Sequence, residues 1–180
     1  MDKKYIYSIS VMCKDSPGIV AHITKVLYEE NFNIEDISST RLNGMFSMIM
    51  VIKHSKLFTL LQVKKMFSNL IKQLDLTISV QKVDDTKFLD DGKTFIISIY
   101  GADKPGIVYN TTQILSNLEI NIIDLQTKIS NREKNPIYIM IIEVIVPYKT
   151  LHADWIKQIK KISDTLKTDI HIREIETYEL

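Results

Sequence analysis

The sequence predicts an α+β protein made of two ferredoxin-like βαββαβ domains in tandem, each an antiparallel sheet with two helices on one face. Three observations predict it. A short stretch occurs twice, Asp15-Ser16-Pro17-Gly18-Ile19-Val20 and Asp103-Lys104-Pro105-Gly106-Ile107-Val108, 88 residues apart. Each copy follows a run of alternating apolar residues and opens a run with helical spacing. The surroundings repeat too: Asn121-Ile122 answers Asn33-Ile34 and Asp124 answers Asp36 at the same offset, then Met140 answers Met48 and Ile175 answers Val83 at an offset of 92. A repeat read in this way is firmer than any single strand or helix. The 180 residues then divide into a domain over 1–84, a linker over 85–93 and a second domain over 94–180. Domains of about 85–90 residues are marginal alone and gain by packing on a neighbour.

In the first half, residues 4–13 alternate, with Tyr5, Tyr7, Ile9 and Val11 on one face. That is the pattern of a strand with one buried face. From Pro17 the period changes: Ile19, Val20, Ile23, Val26 and Leu27 recur at three and four, as on a helix with one apolar stripe. Pro17 suits the first helical position, where its missing N–H is not needed. Asn31-Phe32-Asn33 ends that helix. Strands follow over 34–41 and 45–53, joined at Asn43-Gly44, a strong signal for a tight hairpin. A helix over 57–74 carries Leu57, Leu60, Leu61, Phe67, Leu70, Ile71 and Leu74, interrupted by Lys64, and a last strand covers 76–83. This order is the split βαβ arrangement.

The second half repeats these elements. A strand over 94–101 places Phe95, Ile97 and Ile99 where Tyr7, Ile9 and Val11 stood. The helix after Pro105 carries Ile107, Val108, Ile114, Leu115 and Leu118, and a helix near 151–167 sets Trp155, Ile159, Ile162 and Leu166 on one face. The change of offset marks four inserted residues around Asn131–Pro136, in the hairpin loop, where an insertion costs least.

Composition narrows the function. An apolar fraction of 45% and a charged fraction of 25% are ordinary for a soluble globular protein. A net charge of +1 gives no basic field for nucleic acid. Cys13 is the single cysteine, which excludes an internal disulfide or a Cys-rich zinc site and suits the cytosol. The N-terminal run is broken by Ser8 and Ser10 and lacks the continuous apolar stretch of a signal peptide. No segment approaches the roughly 20 apolar residues of a membrane span. The expected location is the cytoplasm.

The repeated loop carries the chemistry. Gly18 and Gly106 let a ligand approach the backbone closely. The amides that follow, from Ile19 and Ile107 onward, open a helix without internal partners and favour a carboxylate. Asp15 and Asp103 offer a negative charge. Asn33 and Asn121 offer an amide at the start of the next strand. The crossover helix should carry each asparagine to the end of the domain opposite its aspartate, leaving a meeting across a domain interface open. Amides, carboxylate and side-chain amide together fit a free amino acid. The same residues also suit a plain cap and turn. Elsewhere, Cys13 reads as a buried residue at a strand end rather than a nucleophile, with no histidine near it in sequence. His22, His54, His152 and His171 lack metal-ligand spacing. Met45, Met48, Met50 and Met66 read as core, and Lys64-Lys65 and Lys160-Lys161 as solvated helix faces. The Gly-Phe signature of an RNA recognition motif is missing.

The βαββαβ order, the D-x-P-G-I-V loop and the Asn-Ile at the second strand resemble an ACT domain. Two such domains filling a chain of this length resemble the glycine cleavage system transcriptional repressor family and related tandem-ACT regulatory proteins. The resemblance implies a non-catalytic regulator that binds a small amino acid, glycine among the candidates, at ACT-domain interfaces without a cofactor. It implies effector contacts at Asp15, Pro17, Gly18, Ile19 and Asn33, and at Asp103, Pro105, Gly106, Ile107 and Asn121. It further implies signalling to a protein partner such as a transcriptional regulator, without direct nucleic-acid binding. No membrane binding is expected, and domains of this size with one helix-covered face leave sheet edges or the other face to cover, which predicts that the halves pack together and a homodimer forms. Some ACT domains carry a histidine two positions before the acidic or amide residue of the loop; here Cys13 and Gly101 stand there. Two other readings compete: a small acylphosphatase-like enzyme, which would need an arginine beside the phosphate loop, and an interaction module with degenerate ligand sites. Arg41, Arg132 and Arg173 are the only arginines, and none lies in a D-x-P-G loop.

Overall fold

The computed structural model describes residues 4–83, 91–130, 136–152 and 154–175. The chain divides into two compact units, residues 1–87 and 88–180. Of the linker expected over 85–93, residues 85–90 lie outside the described residues, as do 131–135 of the inserted hairpin loop.

The first unit contains β1 (Tyr5–Lys14), α1 (Ile19–Glu29), β2 (Asn33–Leu42), β3 (Met45–His54), α2 (Leu60–Met66), α3 (Ser68–Leu74) and β4 (Thr77–Val83). Its four strands form one sheet in the order β2-β3-β1-β4, each neighbouring pair antiparallel. The alternation of β1 sets which face is buried. Tyr7, Ile9, Val11 and Cys13 point with Met48, Met50 and Ile52 of β3 into a core closed by Ile19, Ile23 and Leu27 of α1 and by Val63, Phe67 and Leu70 below. The Tyr7 hydroxyl donates to the Phe58 carbonyl at 2.9 Å and accepts from the Phe58 amide at 2.8 Å. A buried tyrosine is thereby satisfied.

Two expectations change here. The single helix over 57–74 is two helices meeting at Phe67, whose φ of −91° and ψ of 4° leave the helical region. The Phe67 amide bonds the Lys64 carbonyl, a three-residue step that tightens the turn and keeps the ring wholly buried. Leu57, Leu60 and Leu61 are not part of the buried stripe and stay exposed. Thr59 caps α2 in a reciprocal box with Gln62, which starts the helix late and turns Val63 to the sheet instead.

The second unit contains β5 (Gly92–Ala102), α4 (Ile107–Asn117), β6 (Asn121–Ser130), β7 (Ile137–Pro147), α5 (Tyr148–Leu151), α6 (Trp155–Leu166) and β8 (Thr168–Glu174). Its sheet order, β6-β7-β5-β8, reproduces the first. Phe95, Ile97 and Ile99 of β5 meet Ile107, Leu115, Trp155, Ile159 and Ile162 in a second core. Trp155 sets its ring edge-on to Phe95, with centroids 4.9 Å apart. The helix expected near 151–167 starts at Trp155, after the separate short turn of α5.

Candidate functional site

The two D-x-P-G loops have the same backbone. Gly18 adopts φ 91° and ψ −4°, and Gly106 φ 97° and ψ −8°. These are the angles of the third residue of a type II turn, with proline favoured just before it. Pro17 and Pro105 therefore shape a turn, and the helices start at Ile19 and Ile107, two residues later than the first helical position expected for Pro17. A side chain at either glycine would be strained, and its Cβ would lie 3.3 Å from His22 or 3.0 Å from Asn110. Neither helix start has a side-chain cap. The opening amides thus have no partner of the usual kind, and the positive end of the helix dipole faces outward.

His22 and Asn110, which correspond at the 88-residue offset, each bond back to the glycine. Nδ1 of His22 donates to the Gly18 carbonyl at 2.7 Å, and Nδ2 of Asn110 to the Gly106 carbonyl at 2.8 Å. A carbonyl can only accept, so Nδ1 of His22 carries a proton. The Asp15 amide bonds the Gly44 carbonyl at 2.9 Å, which ties the first loop to the β2–β3 hairpin.

The aspartates and asparagines occupy opposite ends of each unit. Lys14, next to Asp15, pairs in register with Met45, while Asn33 pairs with Lys53 at the far end of β3. In the second unit Ala102 pairs with Ile137 and Asn121 with Ile145. Within one unit the two groups do not come together, as the crossover connection requires.

The polar side chains differ sharply between the units. Nη1 of Arg41, at the end of β2, lies 3.3 Å from Oδ2 of Asp15. At the other end Asn33 donates to Glu35 at 2.5 Å, and Nζ of Lys53 reaches the second oxygen of that carboxylate at 2.9 Å. The Lys53 and Asn33 hydrogen bonds hold the Glu35 carboxyl below its usual range. Glu35 is the extra residue of a β-bulge between Ile34 and Asp36, and Ile123 fills the same bulge between Ile122 and Asp124. By repeat position Arg41 corresponds to Ile129, Glu35 to Ile123 and Lys53 to Ile145. Among the described residues, the side chains of Asp103 and Asn121 have no hydrogen-bond or ion-pair partner. None of these neighbours was visible in the sequence reading. The Asn43-Gly44 turn places Arg41 near the end of β2, but only the pairing of β1 with β3 brings Asp15 beside it.

A cleft of about 520 Å³ opens at the second loop, walled by Tyr100, Ala102, Pro136 and Ile137 and holding Asp103 and Asp169. A groove of about 570 Å³ runs between α1 and the start of β2, past Tyr28, Phe32 and Asn33. Cys13 is buried, and burial pushes its thiol up, with the Asp15 carboxylate adding to the effect. That environment opposes thiolate chemistry. Among the described residues there is no metal-ligating cluster and no helix long and apolar enough to cross a membrane.

Comparison with known proteins bears on the family and the fold. A family model described as the ACT domain matches residues 6–81. A UPF0237 protein of Methanocaldococcus jannaschii is 38% identical over 82 residues, 45% of this chain and 91% of that protein. One from Methanopyrus kandleri is 50% identical over 48 residues, 27% of this chain and about half, 53%, of that protein. A crystal structure of an unknown protein from Galdieria sulphuraria superposes with a TM-score of 0.83 at 22% identity, covering 97% of this chain and all of that one (100%). Another, of a protein to which the role of glycine cleavage system transcriptional repressor has been ascribed, gives 0.74 at 17% identity, covering 97% and 99%. At these identities the two structures speak for the tandem fold alone.

Proposed function

Since the chain belongs to the ACT-domain family and carries two such domains in tandem, we propose that it is a non-catalytic regulatory protein that binds a small amino acid and passes its occupancy to a protein partner. The observation that carries this reading is the duplicated loop. In each copy a glycine in the left-handed region opens a helix whose first amides lack a side-chain cap, beside an aspartate. The amides suit the carboxylate of an amino acid and the aspartate its ammonium. Glycine and other small amino acids are the first candidates. The partner is a protein such as a transcriptional regulator, the working form a cytoplasmic homodimer, and direct nucleic-acid binding has no part in the reading.

One observation favours a rival. Arg41 beside the first loop is the kind of group an acylphosphatase-like enzyme would place on a phosphate. It is tied to the Asp15 carboxylate, and the second loop has Ile129 in its place, so the duplicated feature is not the arginine. Calorimetric titration of the full chain with each amino acid, together with an acyl phosphate turnover assay, separates the readings. Heat with an amino acid and no turnover is expected. Turnover supports the enzyme, and neither signal leaves an interaction module.

A further inference from the structure

We infer that the two loops are not equivalent, and that the second domain, through Asp103, is the one that takes the ammonium of the effector, while Asp15 is committed to Arg41. This rests on the effector reading above and sharpens it. A carboxylate recognises an ammonium by its unbalanced charge. At Asp15 that charge is already balanced by a guanidinium 3.3 Å away. An ammonium brought to Asp15 also meets the positive charge of Arg41, and that repulsion offsets part of the attraction. At Asp103 the repeat position of Arg41 is Ile129, and among the described residues no cation lies within ion-pair distance. Lys104 is the adjacent residue, yet it makes no ion pair with Asp103 among the described residues.

The far end of the same strand shows the same division. Asn33 is held by Glu35, whose other oxygen takes Lys53, whereas at the two repeat positions Asn121 has isoleucines, Ile123 and Ile145. At these positions the polar groups of the first domain satisfy one another, whereas among the described residues Asp103 and Asn121 have no such partner. The cleft at Asp103 adds shape to this difference. Its apolar walls, Tyr100, Pro136 and Ile137, suit the small side chain of an amino acid, and Asp169 contributes a second carboxylate where the first domain has Thr77.

Arg41 is then a specificity-determining residue that acts by neutralising its loop. The test is calorimetric titration of the full chain with glycine and L-alanine, with acetate and propionate as their des-amino counterparts. The wild-type chain should bind one amino acid per chain. Asp103→Asn should weaken it at least tenfold and Asp15→Asn by less than twofold. Ile129→Arg, which installs the missing partner and leaves Asp103 in place, should weaken it as Asp103→Asn does. Arg41→Ile, the residue the second domain already uses, should raise the stoichiometry to two. Two equal sites in the wild type, or a larger loss from Asp15→Asn than from Asp103→Asn, overturns the inference and leaves the effector reading standing. No amino-acid binding by either the wild type or Arg41→Ile overturns both.

Discussion

Glu35 shows how a single bulged residue gives one domain a character the other lacks. Its carboxyl is lowered from the ordinary value of 4.5, first by the Lys53 hydrogen bond and then by that of Asn33. A lowered pKa in the folded state means that the ionised form is favoured by folding. The resulting stability is present above pH 4.5 and fades as the pH falls through the lower folded value. Glu119, held by Lys149, has the same sign. Glu35→Gln should therefore lower the melting temperature at pH 7, and the gap from the wild type should close on acidification below pH 4.5. A gap that is unchanged at pH 3 would contradict the bond network. Gly101 makes a second prediction. A Cβ there would sit 2.6 Å from Cγ2 of the buried Thr168, so Gly101→Ala should destabilise by about 1–3 kcal/mol, read by denaturant unfolding. At this scale the sequence is partly legible. The loop glycines could be singled out, but not their positive φ, because Pro17 suited a first helical position and the turn moves the helix start to Ile19. The Asp15–Arg41 contact could not, because it depends on which strand lies beside which. Cys13, expected to be buried at a strand end, is so.

The elements show a similar split between local and distant causes. Both helices after the loops end in the same motif. The Phe32 amide bonds the Leu27 carbonyl and the Asn31 amide that of Tyr28, while Ile120 bonds Leu115 and Glu119 bonds Ser116. Asn31 at φ 59° and Glu119 at φ 56° are the left-handed residues that this ending requires. The Asn31-Phe32-Asn33 stop was legible for that reason, since asparagine tolerates the conformation. The Asn43-Gly44 hairpin was legible too, with both residues at positive φ, 48° and 79°, as a two-residue type I′ turn demands. The break at Phe67 was not, because the apolar pattern runs through it and only the fit of the ring against the core interrupts the helix. Helix α6 closes on Lys167 at φ 54°, a conformation unfavourable for a residue with a Cβ. Lys167→Gly should stabilise the chain by roughly 0.5–1 kcal/mol, less than the full steric relief because glycine also frees the unfolded chain. Thermal unfolding reads this as a small rise, and a fall would mean that the lysine side chain has a role the backbone does not reveal.

The whole molecule is a duplicated unit whose copies have kept their architecture and changed their polar chemistry. Each unit has its own core, one around Tyr7, Phe67 and Ile9, the other around Ile97, Ile99 and Trp155. A chain cut to residues 1–87 should accordingly unfold in one cooperative transition, and a non-cooperative melt would show that the first core is incomplete by itself. The duplication was fully legible, since an 88-residue offset survives every local ambiguity. The inequivalence of its copies was legible only in part: Lys104 in place of Ser16 adds a charge beside the second loop, but the Asp15–Arg41 and Asn33–Glu35 contacts depend on the pairing of distant strands. The central claim, that the loops bind an amino acid, is tested most directly by the ligand-induced rise in melting temperature of the full chain against that of Gly18→Val/Gly106→Val. Both variant side chains add bulk at the residue just before the helix-opening amides, against His22 and Asn110, and comparing each protein with and without ligand removes the strain they add. At a hundredfold excess over Kd a ligand stabilises by about 2.7 kcal/mol, or roughly 5–10 °C for a chain of this size. The account predicts that rise with a small amino acid in the wild type and none in the double variant. An equal rise in both would place the amino acid away from the loops and contradict it.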